Sequence, residues 1–267
     1  MTTLTEVNRC AKRPVDVWTN YLYYPLSIRL VWLVQRWPRI TPNTLTLASL
    51  GLCVIGCLGL ASNTPNYFLA GLLLVEAAYV VDCADGQLAR LRQQYSAIGG
   101  WLDQVADRVK EGAIYLSLAD GWMRQHPNSD AWLWAMVALF SLYLLEYLGQ
   151  IPMFRNPGSK EPLVPTGQPG DVPFDGHARP HPDAVARPVD LWTRAQRLRR
   201  YLPFSAYNIG EQYFALLVFG ALGAVHPFLC FSAVFGLAMC VYRPIITAIK
   251  FQRARNLPTA EAGGERE

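Results

Sequence analysis

Residues 82–107 have the sequence DCADGQLARLRQQYSAIGGWLDQVAD, and this stretch joins two apolar segments of the chain. Asp82 and Asp85 are three positions apart, and Asp103 and Asp107 are four apart, so each pair lies on one face of a helix. A tight turn around 93–99 would place the two helices antiparallel and bring the four carboxylates together. The stretch therefore predicts two neighbouring helices that meet at an acidic cluster.

Four carboxylates near a membrane boundary repel one another and need to be neutralised. Salt bridges are one explanation, and the nearby cations are Arg90, Arg92, Arg108 and Lys110. Divalent cations are the other, because an all-carboxylate set of ligands suits Mg²⁺ or Mn²⁺. Two such ions close together form the usual clamp for phosphoryl transfer. Gly86 and Gly99 fit the second explanation, since a residue without a side chain lets a ligand approach the backbone.

The composition places this cluster in a membrane protein. Hydrophobic residues make up 52% of the 267 residues and charged residues only 16%, whereas soluble domains carry about 25% charged residues. Six apolar segments approach the length of about 20 residues that a membrane span needs; they cover 45–62, 67–84, 100–120, 131–151, 208–224 and 227–249. The predicted fold is an all-α integral membrane protein with six transmembrane helices, the second of which continues beyond the membrane at Asp85.

The basic residues predict the orientation of these spans. Of 24 Lys and Arg residues, 23 lie in the N-terminal arm, in the 85–110 region, in the 152–207 stretch or from Arg243 onward. The alternate loops carry only Arg124. By the positive-inside rule, both termini and the aspartate cluster are expected on the cytoplasmic side of the cell membrane.

The chain divides into three predicted parts. Residues 1–42 form a cytoplasmic or interfacial arm, because the aromatic stretch 21–33 and the nearby arginines suit a juxtamembrane helix lying in the membrane interface. Residues 43–250 form the six-helix membrane domain and include a proline-rich cytoplasmic loop, 152–207. Residues 251–267 form a cytoplasmic tail. Glu76 and Glu146 lie inside predicted spans, and a structural role is favoured for both.

The spacing D-x2-D-G-x2-A-R-x8-G-x3-D-x3-D, followed without exception in this stretch, resembles the signature of the CDP-alcohol phosphotransferase family. The six-span layout and the entry 41–46 into the first span are also similar to that family. The resemblance implies a membrane transferase that moves a substituted phosphate from a CDP-alcohol, often CDP-diacylglycerol, to a second alcohol. CMP is released and a phosphodiester of phospholipid biosynthesis is formed.

The same resemblance implies roles for individual residues. Two divalent cations, Mg²⁺ or Mn²⁺, would be held by Asp82, Asp85, Asp103 and Asp107, and Asp107 would also be the base that activates the acceptor hydroxyl. The CDP site would be lined by Gly86, Ala89, Arg90, Ser96 and Gly99, with Asn43 and Thr46 as weaker candidates. Lys110, Arg155 and Arg200 are weaker candidates for binding a phosphorylated acceptor, since positive-inside placement explains them equally well.

Two alternatives remain open from the sequence. Within the same chemistry, the donor is a soluble CDP-alcohol, or the acceptor is of the inositol-phosphate type. In a different class, the cluster is the ion pathway of a transporter, although transporters place their acids deep in the spans and often contain inverted repeats. The expected partners are the donor, the acceptor, membrane lipids and, as the family implies, a second copy in a homodimer; no nucleic acid is expected.

Overall fold

The computed structural model describes residues 3–13, 15–151 and 207–255. Within these residues every regular element is helical, so the predicted all-α class is confirmed for the described part of the chain. The elements in chain order are α1 (Leu4–Arg9), a π-helical turn (Thr19–Tyr23), α2 (Tyr24–Val34), α3 (Pro42–Leu60), α4 (Pro65–Arg92), α5 (Ala97–Gln125), α6 (Ala131–Gln150), α7 (Ile209–Ala221) and α8 (Val225–Arg255).

Four of these helices are long and apolar enough to cross a membrane: α3, α4, α6 and the Val225–Ile249 part of α8. They correspond to four of the six predicted spans, and the protein is a multi-pass membrane protein. The third predicted segment, 100–120, lies in α5, and the fifth, 208–224, lies in α7. Neither qualifies by length and composition, because α5 carries seven charged side chains and α7 has only 13 residues, fewer than the roughly 17 that a span requires.

Local capping sets the helix boundaries near the cluster. Thr41 caps α3 by accepting a hydrogen bond from the backbone of Thr44 (3.2 Å), and Pro42 occupies the first turn, where its missing N–H costs nothing. Gln93 ends α4 in the left-handed region with φ of 52°, as residues after a helix often do. Ser96 then caps α5 through the backbone N–H of Gly99 (2.9 Å). The chain therefore reverses within residues 93–96, as the sequence predicted.

The tightest helix contact joins α3 and α4. A Cβ atom added at Gly71 would lie 2.5 Å from the carbonyl oxygen of Gly56 and 2.7 Å from the backbone nitrogen of Leu60. Only glycine allows the two backbones to approach this closely. Since α3 also packs against α5, the two helices that carry the aspartates are both held against α3.

The bundle has two distinct ends. The turns that follow α3, α5 and α7 meet around a cavity of about 350 Å³, which is lined by Asn63, Gln125 and Gly223 among others. The aspartate pairs lie at the opposite end, where α4 finishes and α5 begins.

The N-terminal arm covers the aspartate end. Val7 of α1 and Val31 of α2 are fully buried in one apolar cluster with Leu88 of α4. Arg92 of α4 donates hydrogen bonds to backbone carbonyls at the end of the arm, including that of Ile40 (2.5 Å). Arg92 therefore anchors the arm to the bundle.

A buried polar chain also ties the arm to α4. Asp16 accepts hydrogen bonds from the backbone nitrogen (2.8 Å) and the hydroxyl (2.7 Å) of Thr19, whose hydroxyl lies 2.8 Å from that of Tyr79. Tyr23 donates to a carboxylate oxygen of Glu76 at 2.7 Å. These contacts give Glu76 a structural partner, which agrees with the role favoured for it from the sequence.

Candidate active site

The centre of the site is a cluster of carboxylates from α4 and α5. One carboxylate oxygen from each of Asp82, Asp85 and Asp103 lies within 4.8 Å of the other two. Asp85 is almost fully buried, and it accepts a hydrogen bond from the Thr46 hydroxyl of α3 at 2.6 Å. The turn at 93–96 thus brings together residues that are up to 21 positions apart in the chain.

Asp107 lies beside this trio, next to a buried cation. The ammonium of Lys110 contacts Oδ1 of Asp82 and lies 2.9 Å from Oδ1 of Asp107. Lys110 is 1% exposed, and its third neighbour is the hydroxyl of Ser49 at 3.4 Å. Lys110 was expected to be a surface charge or to recognise the acceptor. The structure places it among the carboxylates, so one of the two means of neutralisation considered from the sequence, a salt bridge, is present.

The donor set also fits divalent cations. Three carboxylate groups converge, and the ligand atoms that they offer are all oxygens. Mg²⁺ and Mn²⁺ prefer oxygen ligands. One lysine offsets one of the four aspartates, and the remaining carboxylates are largely removed from water. Buried carboxylates of this kind are costly unless cations complete their neutralisation.

A cavity of about 450 Å³ opens beside Asp85 and Asp103. It is called here the nucleotide cavity, and it is lined by every residue that the sequence assigned to CDP, which are Asn43, Thr46, Gly86, Ala89, Arg90, Ser96 and Gly99. The structure therefore brings the whole predicted set together, although the hydroxyl of Ser96 is also engaged in capping α5.

Two glycines shape the nucleotide cavity. A Cβ atom at Gly99 would lie 2.9 Å from the side-chain oxygen of Asn43 and 2.8 Å from the hydroxyl of Ser96. A Cβ atom at Gly86 would lie 3.3 Å from the guanidinium of Arg90. Side chains at either position would occupy space next to the groups that line the cavity.

A second cavity of about 460 Å³ meets the first at Asp85, Gly86, Arg90 and Asp103. It is called here the arm-side cavity, because the N-terminal arm forms one wall with Lys12, Asp16 and Tyr24. The phenol of Tyr24 donates a hydrogen bond to the carbonyl of Lys12 (3.0 Å), and burial raises the pKa of Tyr24 to about 12. Tyr24 therefore stays a neutral donor at physiological pH.

All four aspartates line the arm-side cavity, whereas only Asp85 and Asp103 line the nucleotide cavity. Arg108 of α5 also lines it, and the remaining walls come from parts of the chain distant in sequence, including Glu146 of α6, Asn208 next to α7 and Arg243 of α8. Arg108 forms an ion pair with Glu111 at 2.8 Å. Arg155 and Arg200, the other two candidates for acceptor binding, lie outside the described residues.

The sequence did not predict several residues that line the arm-side cavity. Lys12, Asn208 and Arg243 belong to no motif, and nothing in their local sequence indicates that they meet the aspartates. Lys110 did have a signal, because it lies three positions after Asp107 and therefore on the same helix face.

Comparison with known proteins agrees with this geometry. Residues 39–155 match the family model of the CDP-alcohol phosphatidyltransferases. This segment contains α3 to α6, the four aspartates and the complete nucleotide cavity. Residues 39–155 are therefore similar to a CDP-alcohol phosphatidyltransferase domain, and the resemblance stated from the signature is confirmed.

Curated relatives match the same region. A bifunctional IPC transferase and DIPP synthase of Aquifex aeolicus is 32% identical over 111 residues, which are 41% of this chain and 24% of that protein. An archaetidylinositol phosphate synthase of Pyrococcus horikoshii is 31% identical over 108 residues, which are 40% of this chain and 53% of that protein. The chain thus spans between about a quarter and a half of the length of these two relatives.

Solved structures share the fold over more of the chain. The phosphatidylinositol phosphate synthase of Mycobacterium tuberculosis with CDP-DAG bound superimposes with a TM-score of 0.54 and 17% identity, covering 83% of this chain and 92% of that one. The same enzyme in complex with manganese and citrate gives a TM-score of 0.53 and 18% identity, covering 83% and 88%. A protein with a similar helical arrangement has therefore been crystallised with CDP-DAG bound.

Proposed function

We propose that this protein is a membrane CDP-alcohol phosphotransferase that transfers a phosphatidyl group from CDP-diacylglycerol to an acceptor alcohol and releases CMP. The observation that supports this most strongly is the convergence of Asp82, Asp85 and Asp103 at the junction of two cavities. One cavity has the lining that the family signature assigns to CDP. The other gives a second substrate access to the same carboxylates.

In this proposal Asp82, Asp85, Asp103 and Asp107 hold two divalent cations, Mg²⁺ or Mn²⁺. When bound, these ions would draw charge from the diphosphate and stabilise CMP as the leaving group. The protein's own contribution is mainly position, as in phosphoryl transfer generally. Arg90 lines both cavities and would bind the diphosphate, while Gly86 and Gly99 leave room for it beside the carboxylates.

The acceptor would enter through the arm-side cavity, where Asp107 lies. Asp107 is the base: its carboxylate takes the proton of the acceptor hydroxyl as the oxygen attacks the β-phosphorus. The new P–O bond forms as the bond to the CMP oxygen breaks. Asp107 lines the arm-side cavity and not the nucleotide cavity, which supports giving it the acceptor side.

The acceptor and donor are assigned only by class. An acceptor of the inositol-phosphate type is compatible with the relatives named above, and Lys12, Arg108 and Arg243 on the walls would suit an anionic one. A soluble CDP-alcohol donor is the alternative within the same chemistry. The transporter alternative is less well supported, because the three converging carboxylates adjoin two open cavities at one end of the bundle.

We further propose six spans, with α5 and α7 completing the set. Five of the seven charged residues of α5 lie between Asp103 and Glu111, at the aspartate end, so that this part of α5 would line the cavities while the following turns pack in the bundle. The predicted division into an arm (1–42), a membrane domain (43–250) and a tail (251–267) is retained, with α8 continuing to Arg255. We also propose that the protein forms a homodimer. A monomer in native mass spectrometry from mild detergent would contradict this oligomeric state.

We propose that both termini and the aspartate end lie on the cytoplasmic side of the cell membrane, as the distribution of basic residues predicts. Single cysteines at Thr64 and Tyr95, in a background without native cysteines, should label from opposite sides of sealed vesicles, because these exposed residues lie at opposite ends of α4. Tyr95 should react from the cytoplasmic face. Labelling of both from one side would contradict the topology.

The function is tested with purified protein, CDP-diacylglycerol and a panel of alcohols that includes glycerol phosphate, inositol phosphate and serine. One alcohol should support release of CMP together with an equal amount of a new phosphodiester lipid. A soluble CDP-alcohol assayed in parallel distinguishes the two donor classes. If no combination releases CMP while the protein binds Mn²⁺ and conducts ions, the transporter alternative holds.

A further inference from the structure

We infer that Lys110 is a permanent counter-ion of the aspartate cluster, which stabilises the cluster without metal, weakens its affinity for divalent cations and leaves the loaded site with an excess positive charge for the donor's diphosphate. This inference rests on the proposed function. Lys110 would act through the aspartates and the bound ions, so it is a positioning residue.

The position of Lys110 supports the first part. Its ammonium has three N–H donors and contacts three groups: Ser49 of α3, Asp82 of α4 and Asp107 of α5. These are the three helices that form the floor of the site. With its side chain 1% exposed, Lys110 cannot exchange these partners for water, so it is a fixed part of the cluster.

The geometry allows Lys110 and divalent cations to be present together. Lys110 faces one oxygen, Oδ1, of Asp82 and of Asp107. The second oxygen of each carboxylate is left for another cation. A carboxylate has lone pairs enough for both partners. Metal binding therefore does not require Lys110 to leave, and its charge remains next to the ions.

The charges then determine the effect on metal affinity. Without metal, Lys110 offsets one of four mutually repelling aspartates. Two divalent cations, when bound, would offset all four aspartates by themselves, and Lys110 would become an excess positive charge within the same cluster. Its repulsion weakens metal binding by far more than a surface charge would, since water screens it little.

The same excess positive charge favours binding of the CDP-alcohol. A CDP-alcohol brings a diphosphate to the junction of the two cavities. The loaded cluster there would carry one net positive charge, that of Lys110. Lys110 strengthens the field that this diphosphate meets. Removing Lys110 should thus change metal affinity and nucleotide affinity in opposite directions, whereas simple structural damage would weaken both.

The test compares wild type with Lys110→Met, which keeps the length of the side chain and removes its charge. Free Mn²⁺ is measured by EPR on the full-length protein, and CDP-diacylglycerol binding is measured at saturating Mn²⁺. We expect Mn²⁺ to bind at least about tenfold more tightly and CDP-diacylglycerol to bind at least about tenfold more weakly. The melting temperature in chelator should fall, and Mn²⁺ should raise it by more than in wild type.

Two variants serve as controls. Arg124→Met removes a charge from the other end of α5, where Arg124 pairs with Asp120 on the surface, and should leave both affinities unchanged. Lys110→Arg keeps the charge and should keep Mn²⁺ affinity near wild type. If Lys110→Met does not fold, a double variant with Asp82→Asn removes both members of the ion pair, and it should be more stable in chelator than Lys110→Met alone.

The outcomes separate this inference from the proposed function. The role of Lys110 is overturned if folded Lys110→Met binds Mn²⁺ no more tightly than wild type. It is also overturned if the double variant is no more stable in chelator than Lys110→Met alone. If wild type binds Mn²⁺ and Asp85→Asn abolishes that binding, the metal cluster survives such a result. If wild type binds no Mn²⁺ at all, the proposed metal cluster fails and the inference about Lys110 fails with it.

Discussion

Replacing Asp107 with Asn is expected to lower the rate of CMP release by at least about 100-fold, the usual effect of losing a general base. The amide keeps the shape of the side chain, but it cannot accept the proton of the acceptor hydroxyl. Affinity for the CDP-alcohol should fall much less, because Asp82, Asp85 and Arg90 remain. The measurement is paired: CMP release and CDP-diacylglycerol binding on the same preparation.

Asp120→Asn is the matched control for this prediction. Asp120 lies on the same helix, exposed and paired with Arg124, so the same chemical change there should leave turnover intact. The melting temperature of Asp107→Asn needs to be followed as well, because this variant also removes a partner of Lys110. Turnover near the wild-type rate would show that Asp107 is not the base.

Replacing Asp85 with Asn should have a different signature. Asp85 is almost fully buried, lines both cavities and lies in the converging trio. In the proposed site the change would remove a charged ligand, so we expect Mn²⁺ affinity and metal-dependent CDP-diacylglycerol affinity to fall together, each by at least about tenfold. Turnover should then be lost at all but very high metal concentrations.

Asp85→Asn and Asp107→Asn should respond differently to added Mn²⁺ if Asp85 serves in binding and Asp107 in the chemical step. Asp85→Asn acts on binding, and added Mn²⁺ should restore part of the activity. Asp107→Asn acts mainly on the chemical step, and added Mn²⁺ should restore little. If both variants respond equally to Mn²⁺, the two aspartates share one role as ligands, and the base has to be sought elsewhere.

The sequence was enough to predict the centre of the site because its residues are close together in the chain. Asp82 and Asp103 come from adjacent helices joined by the 93–96 turn, and helical spacing fixes which residues share a face. The seven residues assigned to CDP from the family resemblance, including the weaker candidates Asn43 and Thr46, all line one cavity. The structural role favoured for Glu76 also has a visible partner, Tyr23.

Other features depend on contacts between distant parts of the chain. The arm-side cavity combines Lys12 with Arg243, more than 200 positions apart, and no local pattern encodes that pairing. Two of the six predicted spans, in α5 and α7, are not among the four described helices that are long and apolar enough to cross a membrane. A helix such as α5, which turns charged residues toward a polar cavity, no longer has the uniform apolar composition by which spans are recognised.

The enclosure of Lys110 also depends on contacts between helices, although its partners are closer in the sequence. Its spacing from Asp107 indicated a shared helix face, but its contact with Asp82 depends on how α4 and α5 are held against α3. A lysine in a basic juxtamembrane stretch is ordinarily a solvated anchor. Only the packing around Ser49 shows that this one is enclosed.

Metal dependence of CMP release tests the central claim most directly. Purified protein is incubated with CDP-diacylglycerol and its acceptor, first in chelator and then with Mg²⁺ or Mn²⁺ restored. The account predicts no CMP release in chelator and full recovery with either ion, since oxygen ligands from four aspartates would hold both. Undiminished CMP release after exhaustive chelation would contradict it.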